Sequence, residues 1–80
     1  MTDHAKDLIA YVARALVDEP DEVSVETIDG DDAVILELTV APSDLGKVIG
    51  REGRTARAMR TLLSATSTRD SRRTILEILE

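Results

Sequence analysis

The sequence has no cysteine, no phenylalanine and no tryptophan. Without thiols there are no disulfides and no thiolate metal sites, which fits a reducing cytoplasm. Tyr11 is the only aromatic residue and His4 the only histidine. A lone histidine near a chain end reads as an ordinary exposed residue rather than a ligand or base. No apolar run approaches the roughly 20 residues needed to cross a bilayer. The opening residues Met1-Thr2-Asp3-His4-Ala5-Lys6-Asp7 lack the cationic and apolar regions of a secretory leader. No nucleophile–base pair and no paired carboxylates in a pocket can be assembled, so no enzyme is expected.

What is present is 80 residues at 42% hydrophobic content. That supports one domain, residues 1–80, with a small core of modest stability. The net charge of −6 is unevenly spread. Residues 1–41 hold Lys6 and Arg14 against eleven acidic side chains, a balance of −9. Residues 42–80 hold eight basic and five acidic side chains, a balance of +3. Salt screens exposed charges beyond about 10 Å, so the local field of the second half governs docking of an anion.

Periodicity divides the chain. Leu8, Ile9, Val12, Ala13 and Leu16 recur at helical spacing over residues 3–17, with Thr2 or Asp3 available as cap and Pro20 as stop. Residues 23–28 and 33–40 alternate as strands, joined by Asp29-Gly30-Asp31-Asp32, where Asp-Gly tolerates the positive φ of a tight turn. These aspartates read as a hairpin turn, since they lack the further ligands of a calcium loop. Val34, Leu36, Leu38 and Val40 share one face of the second strand, whereas Ile28 falls out of phase in the first. Ser43 is the expected N-cap of a short helix ending at Ile49. A second helix runs from about Arg54 to Ala65, with Ala56, Met59, Leu62 and Leu63 as its apolar stripe. A polar loop follows to Ser71, then a last strand from Arg73 to Leu79. Arg69, Arg72 and Arg73 form a basic cluster that reads mainly as a solvated loop. The last strand carries apolar residues on both faces, so one set faces outward if helices cover only one side of the sheet.

Residues 46–60 hold three of the four glycines and five of the ten basic residues. Gly50 and Gly53 bracket the two-residue tip Arg51-Glu52, preceded by Val48-Ile49 and followed by the helix. Glycines let a backbone approach a ligand closely. The start of a helix offers free N–H groups and a dipole that favours anions. Arg51, Arg54, Arg57 and Lys47 supply cations around it. A phosphate-binding G-x-x-x-x-G-K-[ST] loop is excluded, because six residues separate Gly46 from Gly53 and Arg54 replaces the lysine.

Lys47-Val48-Ile49-Gly50-Arg51-Glu52-Gly53-Arg54-Thr55-Ala56 resembles the V-I-G-x-x-G signature of KH domains, which clamp single-stranded nucleic acid. With its length and element order, the whole chain resembles the small single-domain bacterial KH proteins of the KhpA (YlqC) family. The order α-β-β-α-α-β coincides with the type II KH arrangement, an α+β fold with a three-stranded sheet backed by three helices. The resemblance implies RNA binding by Lys47, Val48, Ile49, Gly50, Arg51, Glu52, Gly53, Arg54 and Arg57. It also implies a groove floor built from Val48, Ile49 and outward apolar residues of the second strand. The scarcity of aromatics disfavours a stacking platform, as in RRM or OB folds, but not such a groove. Glu52, a carboxylate beside phosphate, points to weak affinity.

The implied role is an RNA chaperone or adaptor in post-transcriptional regulation, cytoplasmic, with links to cell shape and cell wall biogenesis. The implied partners are single-stranded RNA, a second copy as homodimer, and a larger KH-containing protein of the KhpB (Jag) type as heterodimer. No cofactor, metal, membrane or small-molecule substrate is expected. The competing reading is a protein-interaction module with a KH fold and little RNA affinity of its own, favoured by the acidic first half and by Glu52.

Overall fold

Helix α1 spans His4–Leu16. It begins the part of the chain that the computed structural model describes, residues 4–66 and 73–80. The caps expected at Thr2 or Asp3, and Arg69 and Arg72, lie outside the described residues. Ile9 and Ala13 of α1 are fully buried, with Leu8 and Val12 half-buried beside them. Leu16, expected on the same stripe, sits at its margin and is exposed. The Val17 N–H still donates to the Ala13 carbonyl at 3.2 Å. Pro20 then opens a single 3-10 turn, Pro20–Glu22, where its fixed φ suits the first position.

Strands β1 (Ser24–Asp29) and β2 (Ala33–Thr39) pair antiparallel, with Val25 opposite Leu38 and Thr27 opposite Leu36. At the hairpin, the Gly30 N–H donates to the Ala33 carbonyl at 2.8 Å. A Cβ on Gly30 would lie 2.9 Å from that oxygen. Close approach therefore requires this glycine, not the positive φ expected of an Asp-Gly turn; only Gly50, Gly53 and Glu52 have positive φ among the described residues.

Two helices lie between β2 and β3. The 3-10 turn Pro42–Asp44 leads into α2 (Leu45–Ile49). A further 3-10 turn, Arg51–Gly53, leads into α3 (Arg54–Thr66). Ser43 is not the expected cap: Pro42 starts helical geometry one residue earlier, and no side chain caps the turn. Strand β3 (Arg73–Ile78) joins β2 in parallel, as a helical crossover demands, and leaves β2 central in the order β1-β2-β3. The result is the expected α+β arrangement, a three-stranded mixed sheet with three helices in the order α-β-β-α-α-β.

One apolar cluster ties these layers together. Ile9 and Ala13 of α1, Leu36 and Leu38 of β2, Leu76 of β3, Val48 of α2 and Met59 and Leu63 of α3 are its fully buried members. On α3 the expected stripe narrows to Ala56, Met59 and Leu63, because Leu62 points outward at 43% exposure. Ile28 has the same explanation for its odd phase. It lies opposite Ile35, which lies beside Ile75, on the sheet face turned away from the core.

Candidate nucleic-acid interface

The turn at Gly50 is held from behind by a buried carboxylate. Asp44, only 1% exposed, accepts the backbone N–H of Asp18 at 3.2 Å and that of Glu19 at 3.0 Å. Lys47 lies 3.4 Å from Asp44 and 3.2 Å from Asp18. The segment after α1 is thereby fastened to the start of α2. Burial pushes the Asp44 carboxyl upward, but the two N–H donors and the ammonium outweigh it and hold its pKa below the ordinary value. Hydrogen bonds to Asp18 and Asp44 raise the Lys47 pKa above its ordinary value. Lys47 therefore belongs to this fastening, and not to the free cations at the turn.

Ahead of the fastening, α2 ends abruptly. Gly50 has φ 77° and ψ 168°, and its N–H donates to the Gly46 carbonyl at 2.9 Å. A Cβ there would crowd the Thr55 side chain and lie 2.8 Å from the Thr55 nitrogen. Gly50 is thus glycine because the turn packs against α3, whatever the ligand. Gly53 differs: its φ is 73°, and a Cβ would meet nothing within 4 Å. Between them Glu52 is held in the left-handed region at φ 57° and ψ 25°, a conformation that costs a non-glycine residue about 1 kcal/mol. Gly53 donates to the Gly50 carbonyl at 3.1 Å and Arg54 to the Arg51 carbonyl, so the tip closes on itself just before α3.

The cations differ in their commitments. Arg51 is exposed, with no ion pair among the described residues. Arg54 meets the Glu52 carboxylate at 3.2 Å, but both side chains are mostly exposed and such pairs hold weakly in water. Arg57 donates to the Glu52 carbonyl at 3.4 Å, steadying the tip. Arg60 donates to the Leu76 carbonyl at 3.2 Å and bridges α3 to β3.

A cleft of about 550 Å³ opens beside the turn, walled by Ile49, Gly53, Ala56 and Arg57 on one side and by Glu77, Ile78 and Glu80 on the other. Arg60 lies at its edge and also lines a second cleft of about 440 Å³ with Ser64, Arg73 and Thr74. Of the nine residues implied by the sequence, Gly50, Arg51, Glu52, Gly53, Arg54 and Arg57 come together at the turn, with Ile49 in the cleft. Val48 is fully buried in the core and supports the turn from within. The strand beside the turn is β3, not β2. Central β2 turns its outward residues to the far side of the sheet, so they form no floor here. Sequence reasoning missed Ile78, Glu77 and Glu80. The parallel return expected of a β-helix-helix-β crossover was the signal that could have found them.

Comparison with known proteins gives the same outline. The family model described as "KhpA/KhpB, KH domain" matches residues 6–78. The "RNA-binding protein KhpA" of Treponema pallidum is 52% identical over 80 residues, covering all of both chains. That of Borreliella burgdorferi is 51% identical over 74 residues, 92% of this chain and 90% of the relative. That of Clostridium acetobutylicum is 47% identical over 74 residues, 92% of this chain and 99% of the relative. No solved structure matches.

Proposed function

Because the chain belongs to the KhpA/KhpB KH-domain family, we propose that it binds single-stranded RNA and clamps a short segment at the Gly50–Gly53 turn. The observation that carries this reading is the open approach at Gly53, at the start of α3 and on the wall of the cleft. A phosphate there meets the positive end of the helix and Arg51, with Arg54 and Arg57 close by. The strand then follows the cleft, where Ile49 and Ile78 offer aliphatic contact to bases. About four nucleotides fit such a groove, so one domain selects no single transcript.

The role that follows is an RNA chaperone or adaptor in post-transcriptional regulation in the cytoplasm. Avidity comes from pairing with a second copy or with a larger KH protein, as the joint family description supports. No helix among the described residues is long and apolar enough to cross a membrane. The second reading, a protein-interaction module, draws support from Lys47 and Arg54. Both already face carboxylates, which leaves Arg51 as the cation least engaged at the turn.

Fluorescence anisotropy on a degenerate single-stranded RNA pool separates the two readings. The Arg51→Asp, Glu52→Asp double variant keeps a residue type that tolerates left-handed φ at position 52. It is expected to stay folded and to lose about tenfold or more in affinity. Equal binding by both proteins, or none by the wild type at high micromolar concentration, removes the clamp and favours the second reading.

A further inference from the structure

The sheet face turned away from the helices carries two parallel rows of side chains. Cross-strand register aligns Ile28, Ile35 and Ile75 in one row. One step of the pleat along, it aligns Glu26, Glu37 and Glu77 in the next. Ile28 is 44% exposed, Ile35 and Ile75 are partly exposed, and Leu79 at 45% exposure continues beyond Glu77.

The acidic row is unfavourable for the isolated fold, since like charges directly opposite one another on paired strands repel. No ion pair with a described residue relieves it. Edge protection does not account for it either. Charges discourage stray pairing on edge strands, but Glu37 belongs to the central strand. Three carboxylates beside three isoleucines therefore require another explanation.

We propose that this face docks a basic amphipathic helix of a protein partner, with aliphatic residues on the isoleucine row and lysines or arginines on the glutamate row. Three strands about 4.8 Å apart place the outer isoleucines about 10 Å from each other. Residues i and i+7 of a helix lie about 10.5 Å apart, so a helix crossing the strands meets all three with one stripe. The glutamate row lies about 7 Å away along the strands, within reach of long cationic side chains on the flank of that helix. RNA is repelled by the row. A second copy of this face would set carboxylates near carboxylates, and repulsion across an interface suppresses such pairing. Glu77 also borders the cleft at the Gly50–Gly53 turn, so the two surfaces meet at that residue, while the isoleucine row and Glu26 and Glu37 lie outside the cleft.

The test uses the full chain and an 18-residue leucine–lysine amphipathic helical peptide as probe, followed by anisotropy and by amide chemical-shift mapping. A Glu26→Gln, Glu37→Gln, Glu77→Gln variant removes the row. A Glu19→Gln, Asp21→Asn, Glu22→Gln control removes equal charge from the connection after α1. Saturable binding is expected, with shifts centred on Ile28, Ile35 and Ile75. The row variant should bind about tenfold more weakly, and the control within about twofold of wild type. An Ile35→Thr variant, checked for folding by circular dichroism, should also bind more weakly. Equal weakening by both charge variants would reduce the effect to diffuse attraction and overturn the proposal. So would shifts centred elsewhere, the absence of saturable binding, RNA-induced shifts centred on Ile28, Ile35 and Ile75, or a wild-type dimer that Ile35→Thr dissociates.

Discussion

Gly50 and Gly53 occupy similar backbone geometry for different reasons, and substitution should separate them. At Gly50 an added Cβ meets both positive φ and the Thr55 backbone. Gly50→Ala is therefore expected to cost about 1–3 kcal/mol, read from urea denaturation. At Gly53 the Cβ meets only open space on the cleft wall. Gly53→Ala should cost about 1 kcal/mol from its φ alone, yet weaken RNA binding more than that loss of stability accounts for. Glu52 is the converse case, a side chain in a conformation better suited to glycine. Glu52→Gly should leave stability unchanged or raise it by up to about 1 kcal/mol, and should tighten RNA binding by removing a carboxylate beside the phosphate site. Parallel denaturation and anisotropy on these variants check all three outcomes.

Among the elements, the connection from α1 to α2 depends on one carboxylate. The Asp44 pKa is depressed in the folded protein, so its contribution is fully present above the unfolded value of 3.8 and fades as pH falls through the lower folded value. Lys47 has the opposite sign. Its raised pKa gives a contribution present below 10.5 and lost as pH rises through the folded value. Stability from this cluster is thus flat through neutrality. Asp44→Asn should lower the thermal midpoint at neutral pH and make the acid limb shallower, as melts between about pH 2 and pH 7 would record. Periodicity made the elements themselves legible: α1, both hairpin strands, α3 and β3 fall within a residue or two of their expected bounds. The turn was legible from Gly50 and Gly53 because positive φ leaves a mark in residue type. Asp44 was not, since a surface aspartate and a buried one look alike in sequence, and its donors lie more than twenty residues away. The resemblance implied outward residues of β2 in the groove floor, whereas β3 borders the cleft; alternation shows which residues share a face, but not which strand takes the edge.

For the whole molecule, the small core and the split charge set the limits. A folded chain of this size holds about 4–12 kcal/mol of net stability. Leu36→Ala, in the middle of the central strand, should remove about 2–5 kcal/mol of it, measurable by urea denaturation. The cations lie mainly in the second half, so RNA affinity rests on a few local contacts against an acidic background. Three phosphate contacts, from Arg51, Arg54 and Arg57, give a slope of about −2 in log affinity against log salt on a single strand. A much steeper slope would mean that RNA engages more of the surface than the turn.

The most direct test is an amide chemical-shift titration of the full chain with a single-stranded RNA octamer at near-physiological salt. The clamp predicts shifts concentrated from Ile49 to Arg57 and from Glu77 to Glu80, with Val25, Leu38 and the Ile28–Ile35–Ile75 face unmoved. Shifts centred on that face or on α1, with the Gly50–Gly53 amides unchanged at saturation, would contradict it.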